Sequence, residues 1–262
     1  MKHLIAILSF VFLFSCGVKK EAPKKEDTQK AAEITITPGE RTDEKETPTV
    51  KITYPKEGEI VKEKQLGVKL DVKGYDLGKQ TETPRAKEIA NSSKGQHIHV
   101  ILDNKAYEAC YEVGKPFEIP GELASGVHTL RVFPSRSYHE SLKGAQGWDA
   151  VTFFVDKKEG VAPVDFKKPL LTYSRPKGAY KGDEGKSIMV DFWISGCTLS
   201  ADGYKVKLTI NGGHETMLTE WKPYFVTGLT PGKYTFALEL IDKDGKPAEG
   251  AYNKTERDVT IE

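Results

Sequence analysis

Apolar and polar residues alternate with a period of two through most of the chain after residue 50. Leu66, Val68, Leu70 and Val72 alternate with Gly67, Lys69, Asp71 and Lys73, and Ile188, Val190, Phe192 and Ile194 repeat the pattern. Such alternation marks half-buried strands. Turn residues punctuate the strands at Asp103-Asn104, Gly121, Asn211-Gly212-Gly213, Thr230-Pro231-Gly232 and Asp244-Gly245. Strands at this density, about seven per hundred residues, predict an all-β sandwich. A turn or two of helix is expected only near Pro84 to Ala90.

The strand pattern occurs twice. Lys115-Pro116-Phe117 lies 107 residues before Lys222-Pro223-Tyr224, and at that offset His97 to Asn104 matches Tyr204 to Asn211. Leu123 to Leu130 matches Leu229 to Phe236 with a one-residue slip. Ile52-Thr53-Tyr54 and Leu171-Thr172-Tyr173 open the copies, and Val151-Thr152-Phe153 and Val259-Thr260-Ile261 close them. The expected organisation is one sandwich over 50–160 and a second over 168–262. Leu229-Thr230-Pro231-Gly232-Lys233-Tyr234 resembles the tyrosine corner of the immunoglobulin and fibronectin type III superfamily, with His128 in that place in the first copy. The resemblance implies two tandem Ig-like antiparallel sandwiches. The Cys…Trp…Cys core of antibody domains is absent. The first copy also resembles periplasmic domains with a His-rich strand, here Gly95-Gln96-His97-Ile98-His99.

The N-terminus carries an address. Met1-Lys2-His3 precedes an apolar run from Leu4 to Phe14 and then Ser15-Cys16-Gly17. The run is about 11 residues, against roughly 20 for a membrane-spanning helix. Leu13-Phe14-Ser15-Cys16 resembles a bacterial lipobox, although Phe14 is bulky for it. The resemblance implies a signal peptide over 1–15, cleavage before Cys16 and lipidation of its thiol. The protein is then held on a membrane of the bacterial cell envelope. Gly17 rather than Asp after the cysteine favours the outer membrane. Residues 16–49 are rich in Lys, Glu, Thr and Pro and read as a disordered linker.

Lys and Arg number 39 and Asp and Glu 38, so the net charge is +1, and removing Lys2 with the signal peptide leaves 38 of each sign. That balance argues against nucleic acid as a partner. No nucleophile elbow, phosphate-binding glycine loop, zinc-protease motif or CxxC is present, so no enzyme and no obligate cofactor is expected. Cys110 and Cys197 remain after lipidation, and end-to-end stacking of the two sandwiches would keep them apart. They read as small, mostly buried thiols.

Two sets of residues are candidates for binding. The loop from Pro134 to Gly147 and Trp148 after it bring Arg136, Tyr138, His139, Glu140 and Trp148 to one end of the first sandwich. Aromatics with a charged fork suit a glycan or an envelope protein. The second set is His97 and His99, which share one face of a strand, with His139 from that loop. Imidazoles at this spacing are a common half of a copper or zinc site. The 107-residue offset, however, pairs His97 and His99 with Tyr204 and Val206 and so places them as packed interior residues. His128 sits at the opposite end of the strands, about 15–20 Å from His97, and reads as a corner residue. The leading expectation is a membrane-anchored, non-catalytic binding or assembly module. The alternative is a periplasmic copper- or zinc-binding protein.

Overall fold

Both copies fold as antiparallel sandwiches with the same strand order. In the first, Thr49–Tyr54, Gly67–Lys73 and Phe117–Glu118 form a three-stranded sheet. The facing sheet has five strands, in the order Ile60–Val61, Asp149–Val155, Gly126–Ser135, His97–Leu102 and Glu108–Cys110. In the second, Leu170–Arg175, Ile188–Ser195 and Tyr224–Thr227 face Gly178–Tyr180, Lys254–Ile261, Gly232–Ile241, Lys205–Ile210 and His214–Leu218. Each five-stranded sheet has one parallel pair, Ile60–Val61 with Asp149–Val155 and Gly178–Tyr180 with Lys254–Ile261. This computed structural model describes residues 33–144 and 146–262. Cys16 and the signal peptide expected over 1–15 lie outside the described residues. The expected turn of helix is a single 3-10 turn, Pro84–Lys87.

The cores follow from the alternation. Val50, Val68, Ile98, Val100, Leu130, Val132 and Phe153 fill the first, and Leu171, Val190, Phe192, Val206, Leu208, Phe236 and Leu238 the second. Tyr234 makes the corner, its hydroxyl donating to the Thr230 carbonyl at 2.9 Å. His128 makes the same back-bond to the Ala124 carbonyl at 2.8 Å.

The copies align differently from the sequence repeat at one strand. Asp103 and Asn211 end equivalent strands, both with positive φ (53° and 50°). Each accepts an amide of the neighbouring strand on its side chain, from Thr129 at 3.0 Å and Thr235 at 2.9 Å. Their separation is 211 − 103 = 108 residues, one more than the repeat offset. A one-residue slip moves every side chain to the other face. Ile98, Val100 and Leu102 therefore correspond to Val206, Leu208 and Ile210 and point inward, while His97, His99 and Ile101 point out of the sandwich.

That outer face is not exposed. Every residue of His97–Leu102 is buried, as are nearly all of Ile188–Ser195. The two sandwiches lie side by side rather than end to end, with the outer face of the first five-stranded sheet against the outer face of the second sandwich's opposite sheet. Phe133, Ile101 and Tyr107 pack against Trp193. Phe133, Trp148 and Trp193 stack at 5.1–6.3 Å, and Trp221 meets Trp193 edge-on. Buried polar groups cross the seam. Arg131 donates to Thr172 Oγ1 at 2.9 Å, and Lys143 pairs with Asp191 at 2.7 Å with both side chains sealed from solvent.

Residues 33–49 correct the expectation of disorder over that part of the linker. Thr35–Pro38 pairs antiparallel with Tyr224–Thr227 and extends the second sandwich, with Ile34 and Ile36 against its core. Beyond it, Thr42 donates its amide to Glu140 at 2.9 Å, Arg136 donates to the Asp43 carbonyl, and Glu44 accepts the Lys143 amide. The segment is poor in apolar groups, but edge pairing uses backbone atoms, and its charged side chains find fixed partners on the first sandwich.

Candidate functional site

The seam encloses His97, His99 and His139. His97 and His99 stand two apart on one strand, and His139 comes from the loop after Gly126–Ser135. All three are buried. Their nearest ring nitrogens lie within 4.8 Å of one another. His97 Nε2 is 3.0 Å from His99 Nε2 and 3.1 Å from His139 Nδ1. Nitrogens bound tetrahedrally at 2.0–2.1 Å from one ion would be about 3.3 Å apart, close to the two separations from His97, while His99 and His139 stand wider, within 4.8 Å.

Local structure aims each ring. Gly95 has φ 83°, and a Cβ there would meet the Gly78 carbonyl at 2.4 Å, so only glycine fits. Its own carbonyl accepts a bond from His97 Nδ1 at 2.9 Å. A carbonyl only accepts, so Nδ1 carries the proton and Nε2 presents its lone pair to the trio. His99 Nδ1 is 3.1 Å from Ser174 Oγ of the second sandwich. His139 has φ 71°, a left-handed conformation that is uncommon for a non-glycine residue, and turns Nδ1 toward His97. Tyr107 places its hydroxyl 3.1 Å from the same nitrogen.

The surroundings are aromatic and positively charged. Tyr107 stacks on His99 with centroids 3.5 Å apart and planes 9° from parallel. Tyr111 lies 4.9 Å from His97, and Phe133 meets His99 edge-on. Arg175 and Lys177 sit over the Tyr107 ring, 5.5 Å and 4.3 Å from its centroid. Burial, reinforced by Arg175 and Lys177, holds all three imidazoles neutral: His97 is pushed down to about 4, and His99 and His139 also lie well below the usual value. Lone pairs are thus available at neutral pH.

One nitrogen is over-subscribed. His97 Nε2 has a single in-plane lone pair yet faces two ring nitrogens at hydrogen-bond distance. It accepts one good bond from one of them. The second contact then sets nitrogen against nitrogen without a well-directed proton, an arrangement that a shared cation relieves.

The other candidates fall elsewhere. Arg136, Tyr138 and Glu140 are buried, so this loop does not offer the open surface expected of it. Tyr138 bonds Thr42, and Glu140 bonds Thr42 and pairs with Arg85 at 2.5 Å. The reason is the seam together with the 39–46 segment, both of which cover the end of the sandwich. Trp148 belongs to the aromatic stack. Of this set only His139 joins the trio. His128 is apart from it, bonded to Asp103 and Ala124. Cys110 and Cys197 are free thiols, and burial raises both, Cys197 to about 11. Tyr107, Ser174, Arg175 and Lys177 escaped sequence reasoning, since the last three belong to the other repeat. The outward Met189 and Trp193, apolar residues in the polar phase of their strand, were the available sign that this face is covered.

No protein-family model and no curated sequence matches this chain. Among solved structures it is similar to the fibronectin(III)-like modules of Clostridium thermocellum CbhA, at 14% identity and TM-score 0.27, covering 82% of this chain and 94% of that one. It is similar to the Bacteroides ovatus mixed-linkage glucan utilization locus protein SGBP-B, solved with a heptasaccharide, at 11% identity and TM-score 0.25, covering 86% and 71%. The two tandem V-type regions of the chitin-binding protein VCBP3 match at 10% identity and TM-score 0.25, covering 82% and 99%. At these scores the likenesses carry no argument about a ligand. The strand order itself defines the class, a pair of Ig-like, fibronectin III-like β-sandwiches.

Proposed function

We propose that this protein is a binding module of the bacterial envelope whose cargo is a late transition-metal ion, copper or zinc, held by His97, His99 and His139. The observation that carries the reading is the convergence of three buried, neutral imidazoles on one point, with His97 Nε2 within 3.1 Å of both neighbours. Imidazole nitrogen suits both metals. The Gly95 carbonyl and the Ser174 hydroxyl act as the outer partners that orient ligating histidines. The lipobox-like residues ending at Cys16 support a membrane tether.

The test uses the full chain purified in detergent and stripped of metal. Titration with copper and zinc salts is expected to bind one ion per chain and to raise the melting temperature. His97→Ala and His139→Ala abolish both effects, and His128→Ala keeps them. Absence of stoichiometric binding for either metal in either oxidation state overturns the reading. Separately, Cys16→Ala is expected to release the protein from the membrane fraction.

A further inference from the structure

The geometry points to monovalent copper as the ion matched to this site, an inference that rests on the metal reading above. The donor set is wholly neutral. It consists of three imidazole nitrogens, with the Tyr107 hydroxyl as the next polar atom. Among the described residues, no carboxylate is bonded to any of the three rings. Their other partners are the Gly95 carbonyl and Ser174 Oγ.

The fixed charges nearby are positive. Arg175 bonds the Tyr180 hydroxyl and Lys177 the Tyr107 carbonyl oxygen, and neither partner is charged. Among the described residues, the Arg175 Nε has no hydrogen-bond partner. Asp191 of the second sandwich is already bonded to Lys143 and Ser141. An ion entering the trio therefore brings uncompensated charge into a buried, aromatic-walled space beside two cations. The cost of burying an ion rises with the square of its charge, so a divalent ion pays about four times the monovalent cost. Repulsion from Arg175 and Lys177 doubles as well. Selection here comes from charge and not from softness, because no sulfur ligand takes part. Three neutral nitrogens are a sufficient set for a closed-shell monovalent ion of low coordination number.

The experiment is a pair of competition titrations on the full chain in detergent. Under anaerobic conditions, Cu(I) is partitioned between the protein and a chromophoric Cu(I) chelator, and Zn(II) between the protein and a zinc indicator. Wild type is expected to hold Cu(I) more tightly than Zn(II) by about tenfold or more. The decisive variant is Arg175→Met with Lys177→Met, which removes the charges and leaves the histidines. It is expected to raise Zn(II) affinity more than Cu(I) affinity and so narrow the gap. Lys177→Met alone, on a partly buried side chain, gives the same direction should the double variant fail to fold. A smaller preference in wild type, an unchanged gap in the variants, or a fall in their Zn(II) affinity overturns the inference while the metal reading stands. Failure of every ion to bind overturns both.

Discussion

Lys143→Met tests the seam that covers the histidines. Lys143 Nζ lies 2.7 Å from Asp191 Oδ1, with side-chain exposures of 1% and 0%. Asp191 also accepts from Ser141 Oγ at 3.0 Å and from the Ser141 amide at 3.3 Å, and Lys143 Nζ bonds Ser141 Oγ at 2.8 Å. Methionine keeps most of the aliphatic stem and removes the ammonium. The Asp191 carboxylate then stays buried with Ser141 alone. Removing one partner of a buried ion pair costs about 3–5 kcal/mol. For a unit of this size each kcal/mol shifts the melting temperature by about 2–4 °C, so the expected fall is about 6–20 °C. Urea unfolding with linear extrapolation reads the same loss as a lower midpoint at unchanged slope. Adding Asp191→Leu to Lys143→Met removes the orphaned charge and is expected to restore most of the stability. The loss is also expected to persist in high salt, because a pair sealed from solvent is weakly screened. A loss under about 1 kcal/mol, the range of exposed pairs, would refute the sealed seam and with it the burial of the trio.

Further outcomes follow from the same contacts. His128 presents both ring nitrogens to acceptors, Asp103 Oδ2 at 2.9 Å and the Ala124 carbonyl at 2.8 Å, a pattern that needs the imidazolium; the Asp103 bond raises its pKa above 6.5. A raised histidine stabilises fully below its unfolded value and loses that contribution as pH climbs through the folded value, so Asp103→Asn is expected to cost more stability at pH 5.5 than at pH 8.5, and equal losses would refute it. Tyr234→Phe removes the corner hydroxyl, which donates to the Thr230 carbonyl and accepts its amide, and should cost about 1 kcal/mol in chemical denaturation. Replacing residues 33–46 by a Gly/Ser segment of equal length strips Ile34 and Ile36 from the second core and is expected to cost about 3 kcal/mol, read by thermal unfolding.

The candidate site was half legible. Two histidines at a spacing of two share a face under any strand assignment, so His97 and His99 could be paired from sequence, and His139 could be brought near by loop topology. Which face they occupy was not legible. The repeat at Lys115 and Lys222 sets an offset of 107, while the turn at Asp103 and Asn211 shows 108 for the preceding strand. A single residue between them decides whether the imidazoles enter the core or leave it. Arg136, Tyr138 and Glu140 were misplaced for a different reason. A polar loop reads as exposed when the surface that covers it lies on residues 40–46 or in the other repeat.

The amino-acid sequence alone determined two β-sandwiches, the corner at Tyr234 and its replacement at His128. Alternation, turn chemistry and the corner bond act over a few residues, so they are written locally. Only the tertiary structure decided that the sandwiches pack side by side, that residues 33–48 are ordered, and that Ser174, Arg175 and Lys177 close over His97, His99 and His139. Those outcomes rest on complementarity between surfaces far apart in the chain, 41 residues for Arg131 with Thr172 and 75 for His99 with Ser174, and no local pattern encodes them.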